Sequence, residues 1–333
     1  MDDGSTATEP HPLGTIRPAM RAISLKSHDF DEIGEALSGW DHRLEQLDRG
    51  RFTGRISFAA FEGVQLFDVE FDRRIYARGS LPPNCYVISP VHEANLGAVW
   101  RGRLLRPGSL NITRPGDLME HRTSPTYRNT SLVVEAGLLH RIASDLGYEA
   151  VIPLFSERQG LEIDPSSCLA LSRQIGEELA SLSPAGPGLS PTPDGKAVIH
   201  RLLRRLFASA SSGRSLEPPE RGWHRRAHLV RSVEEYLRAH TDRAITIQAL
   251  CSRFDISERT LHYAFREVTG LSPKAYLKAR RLNQLRRDLK EADPRCDTIG
   301  AIAARWGFTH PGELAADYNR MFGELPSRTL SRA

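Results

Sequence analysis

The chain has 333 residues, 40% hydrophobic and 26% charged, with four cysteines and a formal net charge of +4. That length supports two domains and a helical connector, and the composition excludes fibrous or low-complexity classes. No apolar run is long enough to span a bilayer, Met1–Thr15 is polar and unlike a signal peptide, and Cys85, Cys168, Cys251 and Cys296 are too scattered for a disulfide frame. A cytoplasmic protein with reduced thiols and no membrane partner is expected.

In chain order, residues 1–20 are rich in Pro, Thr, Gly and Asp and are expected to be disordered. Phe30–Leu47 reads as a helix through Ile33, Leu37, Leu44 and Leu47, interrupted near Gly39-Trp40. From Arg51 to Ala136 strand-like runs take over: Arg55–Phe61, Val64–Tyr76, Asn84–Ser89, Ala98–Leu105, Ser109–Thr113 and Thr130–Glu135. Gly, Pro and Asn punctuate them as in an antiparallel sheet or barrel, and Arg114-Pro115-Gly116-Asp117 is a sharp turn signal.

Leu138–Leu146 reads as a short helix and Pro165–Leu182 as a longer one, with Leu171, Ile175, Leu179 and Leu182 on one face. Ser183–Gly195 is a Pro-, Gly- and Ser-rich loop. Gly195–Ala210 then returns to helix, with Val198, Leu202, Leu206 and Phe207 opposite Arg201, Arg204 and Arg205. Pattern alone lets these two apolar faces pack on the sheet or form a dimer interface. Ser211–Gly222 is the expected interdomain linker.

After a supporting helix at His228–Leu237, one helical unit is written twice. Thr246-Ile247, Leu250, Arg253 and Phe254 recur as Thr298-Ile299, Ile302, Arg305 and Trp306. With one residue inserted, Leu261, Phe265, Gly270 and Pro273 recur as Leu314, Tyr318, Gly323 and Pro326. A repeat this regular is architectural. Each copy reads as helix, tight break, helix: Thr246 caps the first, Asp255-Ile256 turn, and Ser257 caps the second. In the second copy Thr298 caps and Trp306-Gly307-Phe308 breaks. Between the copies, Ser272-Pro273 opens a helix to about Glu291, stopped by Asp293-Pro294, with Tyr276, Ala279, Leu282, Leu285 and Leu289 inward. Its 19 residues span roughly 28 Å, close to the ~34 Å between successive major-groove faces.

Gly307-Phe308, Tyr318, Phe322-Gly323 and Pro326-Ser327 resemble the C-terminal signature of the AraC/XylS family of bacterial transcription regulators. The resemblance implies an α+β multidomain chain. Its N-terminal part would be a cupin-like antiparallel β domain with helices, and its C-terminal part an all-α domain of two helix-turn-helix units joined by a linker helix. Expected boundaries are 1–20, 21–150 (effector sensing), 151–210 (helical connector or dimerisation), 211–222 (linker) and 223–333 (DNA binding). The resemblance favours dimerisation for the connector. Gln46–Phe52, Leu81-Pro82-Pro83-Asn84 and the run His310–Ser327 resemble the subgroup containing the ethanolamine-utilisation regulator. Expected partners are promoter duplex DNA, RNA polymerase, a small-molecule effector and a second copy of the chain. No cofactor is expected.

The charge distribution agrees with a polyanion partner. Trp223–Ala333 holds 20 Lys/Arg against 13 Asp/Glu, while the rest holds 25 against 28. Arg259, His262 and Tyr263 occupy the family's base-contacting positions, with packing of Tyr263 on the linker helix as the bland alternative. In the second unit Gly312, Ala315 and Ala316 stand at those positions, leaving His310, Glu313 and Asn319 to reach bases. The first unit is therefore expected to carry most of the specificity. Thr246, Arg253, Arg266, Lys274, Thr298, Arg305 and Arg320 are the phosphate candidates. Arg280, Arg281, Arg286 and Arg287 read chiefly as a solvated helix face.

The sequence also admits two rival readings. In one, the N-terminal domain only dimerises or binds a protein. In the other, a cupin-type metalloenzyme is fused to a DNA-binding domain; His92 and His121 stand alone, and Cys85 lacks the basic flank of a reactive thiol, so no enzyme is expected.

Overall fold

A computed structural model describes residues 21–37, 39–182, 194–217, 221–240 and 245–332. The expected disorder of residues 1–20 and the loop at 183–193 lie outside them. The N-terminal part runs β1 (Arg21–Ser27), α1 (Phe30–Glu35), β2 (Asp41–Gln46), β3 (Gly54–Phe61), β4 (Val64–Phe71), β5 (Ile75–Ser80) and β6 (Cys85–Pro90). It continues with β7 (Val99–Trp100), β8 (Arg103–Leu104), β9 (Ser109–Thr113), β10 (Leu118–Arg122), β11 (Tyr127–Glu135), α2 (Ala136–Asp145), α3 (Ile152–Glu157) and β12 (Gly160–Glu162). Next come α4 (Pro165–Leu182), α5 (Gly195–Ser211), β13 (Arg214–Ser215) and α6 (Trp223–Ala239). The C-terminal helices are α7 (Ile247–Phe254), α8 (Glu258–Thr269), α9 (Pro273–Glu291), α10 (Ile299–Arg305), α11 (Pro311–Phe322) and α12 (Pro326–Leu330).

Two antiparallel sheets face each other, one ordered β1-β3-β4-β11-β6-β9-β12-β13 and the other β2-β5-β10-β7-β8. The larger sheet is buried on both faces, and period-two alternation decides which residue goes where. Along β4, Val64 and Leu66 join a cluster with α2, α4 and α5, while Phe67, Val69 and Phe71 point to the other sheet. The apolar faces of α4 and α5 (Leu171, Ile175, Leu179, Val198, Leu202, Leu206, Phe207) are spent in that cluster. Packing on the sheet, rather than dimerisation, is thus how the chain uses them.

Several expectations need correction. The helix expected over Phe30–Leu47 ends at Glu35, and Gly39 at φ +81° turns the chain into β2. The spacing of Ile33, Leu37, Leu44 and Leu47 imitates a helical stripe, but the β5 partner imposes a strand through six paired positions from Asp41↔Ser80 to Gln46↔Ile75. The run Val64–Tyr76 is split between β4 and β5, and Ala98–Leu105 is a tight hairpin of two-residue strands. Sequence reading missed β1, β10, β12 and β13. In the expected linker, Arg214 and Ser215 pair with Glu162 and Leu161.

The repeat folds as expected. Thr246, Ser257, Ser272 and Thr298 each cap a helix by accepting from a backbone N–H three residues on. The first unit packs with α6 around Phe265 and Tyr276. The second shares a core with α9 and the β domain, running from Ile302, Leu314 and Phe322 through Leu285 to Phe30 and Ile33. Among the described residues no helix is long and apolar enough to cross a membrane.

Candidate DNA interface and effector cavity

Helix α8 owes its two faces to sequence spacing. Leu261, Ala264, Phe265 and Val268 are buried, so Arg259, His262, Tyr263 and Arg266 are exposed. Tyr263 is 62% exposed, which removes the alternative of packing on the linker helix. In α11, Leu314, Tyr318, Met321 and Phe322 are inward, leaving His310, Gly312, Glu313, Ala316 and Asn319 exposed. His310 precedes Pro311 and makes no side-chain cap.

The phosphate candidates divide by unit. Arg253, Arg266 and Lys274 are exposed with no carboxylate partner among the described residues, and the Arg253 guanidinium lies 5.7 Å from the Tyr236 ring centre. In the second unit Arg305 is 3.6 Å from Asp288, and Arg320 is bonded to Asp317. A cation already beside a carboxylate has less to offer a phosphate. The Thr246 and Thr298 hydroxyls accept from Ala249 and Ala301 N–H at 3.1 and 3.2 Å, fixing helix starts whose remaining amides are open.

The linker-helix arginines are not a solvated face. Arg286 is buried and lies 3.0 Å from Asp29, which also receives Lys290 at 2.5 Å. Arg287 bonds Asp31 at 2.8 Å and the Leu44 carbonyl at 2.6 Å. Arg280 is buried, and Arg281 lies over the Phe308 ring. Burial raises the Asp29 carboxyl, but Arg286 and Lys290 outweigh it and hold it below the usual range. Asn283 closes the open edge of β2, accepting from Gln46 N–H at 3.2 Å and donating to Gln46 C=O at 3.1 Å. Gln46 Nε2 lies 2.7 Å from the carbonyls of Gly50 and Met321, and Gly50 N–H donates to Arg320 C=O at 2.9 Å. The final carbonyls of α11 are thus satisfied by the β domain. Sequence reading missed this clasp, although Asn283 and Gln284, amides in a Leu- and Arg-rich helix, were its local signal.

A third surface lies on the outer face of the smaller sheet. Tyr76 donates to Glu120 at 2.8 Å, Arg78 pairs with Glu234 of α6, and Tyr276 of α9 lies 2.9 Å from Glu45 and 2.5 Å from Glu234. Burial is the main reason the Glu234 carboxyl is pushed up to about 7; Arg78 opposes it.

The inner face of the same sheet lines a cavity of about 70 Å³ between the two sheets. Trp40, Phe67, Phe71, Trp100 and Tyr127 give it aromatic walls. Ser89, Asn111, Thr113, Asn129 and Ser131 form a polar shelf on the larger sheet, facing His42 and His121. Burial pushes both imidazoles down to about 4, so both are neutral at ordinary pH. His121, isolated in sequence, therefore shares this cavity with His42; His92 does not line it. Among the described residues no three His, Cys, Asp or Glu side chains group as metal ligands.

Known proteins give these features a context. A family model described as a helix-turn-helix domain matches residues 250–332. The chain is 28% identical to the probable thc operon regulatory protein of Rhodococcus erythropolis, over 93% of this chain and 96% of that one. It is 25% identical to the XylDLEGF operon transcriptional activator of Pseudomonas putida, over 87% of this chain and 88% of that one. The XylDLEGF operon transcriptional activator 2 of the same organism is 33% identical over 41% of this chain and 82% of its own length.

Proposed function

Because the chain belongs to the AraC/XylS family of transcription regulators, we propose that it is an activator governed by a small molecule held between its two sheets. DNA binding through the helix-turn-helix units is the family's activity. The proposal concerns which residues read the DNA and what governs them.

One observation carries the reading: the smaller sheet is a partition. Alternation along β2 sends His42 and Leu44 into the cavity, and Arg43 and Glu45 toward α6 and α9. In β5, Ala77 faces the cavity side while Tyr76 and Arg78 face the DNA-binding domain. The cavity is about 70 Å³, less than half the ~150 Å³ apolar cavity that holds benzene. A ring-sized effector must therefore push a wall outward. The wall made by α1 and β2 is the one that carries Asp29, Asp31 and Gln46 to the linker helix. Occupancy of the cavity would bias how α9 is held, and with it the disposition of the two helix-turn-helix units.

Base reading is assigned mainly to Arg259, His262 and Tyr263, with His310 and Glu313 secondary. RNA polymerase and a second copy of the chain complete the working unit. Since the apolar faces of α4 and α5 are buried within the chain, the second copy would meet their outer faces, where Leu169 is 38% exposed. Promoter discrimination tests the base assignment. Arg259→Ala is expected to lower the ratio of specific to competitor binding by about tenfold or more, the cost of one lost bidentate guanine contact. Glu313→Ala should change it little. The reverse pattern would sink the assignment.

A further inference from the structure

We infer that the cavity between the sheets takes a small, flat, uncharged molecule bearing hydrogen-bond donors and acceptors, and excludes carboxylates and ammonium ions. This rests on reading that cavity as the effector site. Its described walls contain no Asp, Glu, Lys or Arg. An ion buried there would leave water with no counter-charge, which strongly disfavours its entry. The two imidazoles do not supply one, because both stay neutral until about pH 4.

The cavity is nevertheless built to hold a polar ligand. Among the described residues no side chain hydrogen-bonds either ring nitrogen of His42. Asn111 and Thr113, 5% and 4% exposed, line the same space. Ser89 and Ser131 lie 2.6 Å apart, and Asn129 donates to Ser131 at 2.8 Å. Polar groups on both sheets therefore face one space, and the buried imidazole of His42 is costly to leave unsatisfied. An amide, a phenol or a ring bearing a hydroxyl can satisfy several at once. Trp40, Phe67 and Trp100 favour a planar body.

The test is a thermal-shift and calorimetric screen of the full chain at pH 7.5 with monocyclic aromatic amides, each matched to the carboxylate and amine of the same ring. Binding is expected in the neutral series, at least about tenfold tighter than in its charged counterparts. His42→Leu should leave the ligand-free protein folded, since no side chain hydrogen-bonds its imidazole, and should weaken the neutral ligand by about fivefold or more. Ala98→Leu, which fills the cavity, should abolish binding. A carboxylate or amine that binds more tightly than its amide, and is lost in Ala98→Leu, overturns the ligand class while leaving the site in place. A ligand indifferent to both substitutions overturns the site itself. Failure of the whole neutral series to bind overturns the class.

Discussion

Tyr276 has one hydroxyl proton and two carboxyl neighbours, Glu45 at 2.9 Å and Glu234 at 2.5 Å. It can donate to only one of them. A proton on Glu234 resolves this, since the carboxylic acid donates to the tyrosine oxygen and the tyrosine donates to Glu45. Arg78 and Tyr76 on β5, Glu120 on β10, Arg231, Glu235 and Arg238 on α6, Arg43 and Glu45 on β2 and Arg280 on α9 are the charged or titratable groups around this point. With Arg78 as its paired arginine and Glu45 and Glu120 nearby, the raised Glu234 pKa of about 7 follows from burial and crowding. An acid whose pKa is raised in the folded state loses stability as pH climbs from its ordinary value toward the raised one. Stability from this cluster should fall between about pH 4.5 and 7 and then level off. His42 and His121, lowered to about 4, act in the opposite sense below their ordinary 6.5. The readout is therefore the difference in thermal midpoint between the wild type and Glu234→Gln. Glu234→Gln should gain on the wild type as pH rises from 5.5 to 7.5; a constant difference would refute the shared proton.

At the scale of the element, β2 and α9 decide how the molecule is joined. Gly79 lies opposite His42, and a Cβ there would fall 2.1 Å from the Asp41 carbonyl oxygen and 2.4 Å from His42 Cα. Both are backbone atoms that cannot step aside. Gly79→Ala should unseat β2, lower the thermal midpoint by several degrees and speed amide exchange in Asp41–Gln46 and in the facing half of α9. Faster exchange confined to β5, with β2 and α9 unaffected, would separate the strand from the docking. The helices and their caps were legible in sequence because capping and amphipathic spacing are local: Thr246, Ser257, Ser272 and Thr298 signal their own roles. The β2 strand was not legible, because what makes Asp41–Gln46 a strand is β5, some 30 residues on. Nor was the burial of Arg280 and Arg286, nor the pairing of Arg286 and Arg287 with Asp29, Asp31 and Leu44, about 240 to 260 residues away. An arginine on a helix reads as solvated until the acid that faces it is known. The Gln46–Phe52 stretch, singled out by resemblance, proves to be the loop on which the end of α11 rests.

Over the whole molecule the order is α4 and α5, the larger sheet, the cavity, the smaller sheet, and then the DNA-binding domain. The described hydrophobic clusters respect that order, except that the second helix-turn-helix unit shares its core with α1 and the cavity wall. The first unit keeps a core centred on α6, α8 and α9, along with the exposed cations Arg253, Arg266 and Lys274, which have no carboxylate partner among the described residues, and the exposed Arg259, His262 and Tyr263. The division fits one unit equipped to read DNA and another held closely by the sensing domain. The expectation that the second unit reads bases poorly rests on Gly312, Ala315 and Ala316; the ion pairs of Arg305 and Arg320 point the same way.

We propose that the clasp between the β domain and α9 governs DNA recognition. The most direct test is binding of the full chain to its own flanking intergenic DNA, across a salt series and against competitor DNA. The wild type would be compared with the double substitution Asp29→Asn and Asp31→Asn. Asparagine keeps the Asp29 helix cap, which accepts from Asp31 N–H at 2.9 Å, while removing the charge that Arg286, Arg287 and Lys290 meet. Loss of two negative charges alone would strengthen binding to every sequence equally. A changed ratio of specific to competitor affinity, by about tenfold or more, is the expected result; an unchanged ratio would contradict the coupling.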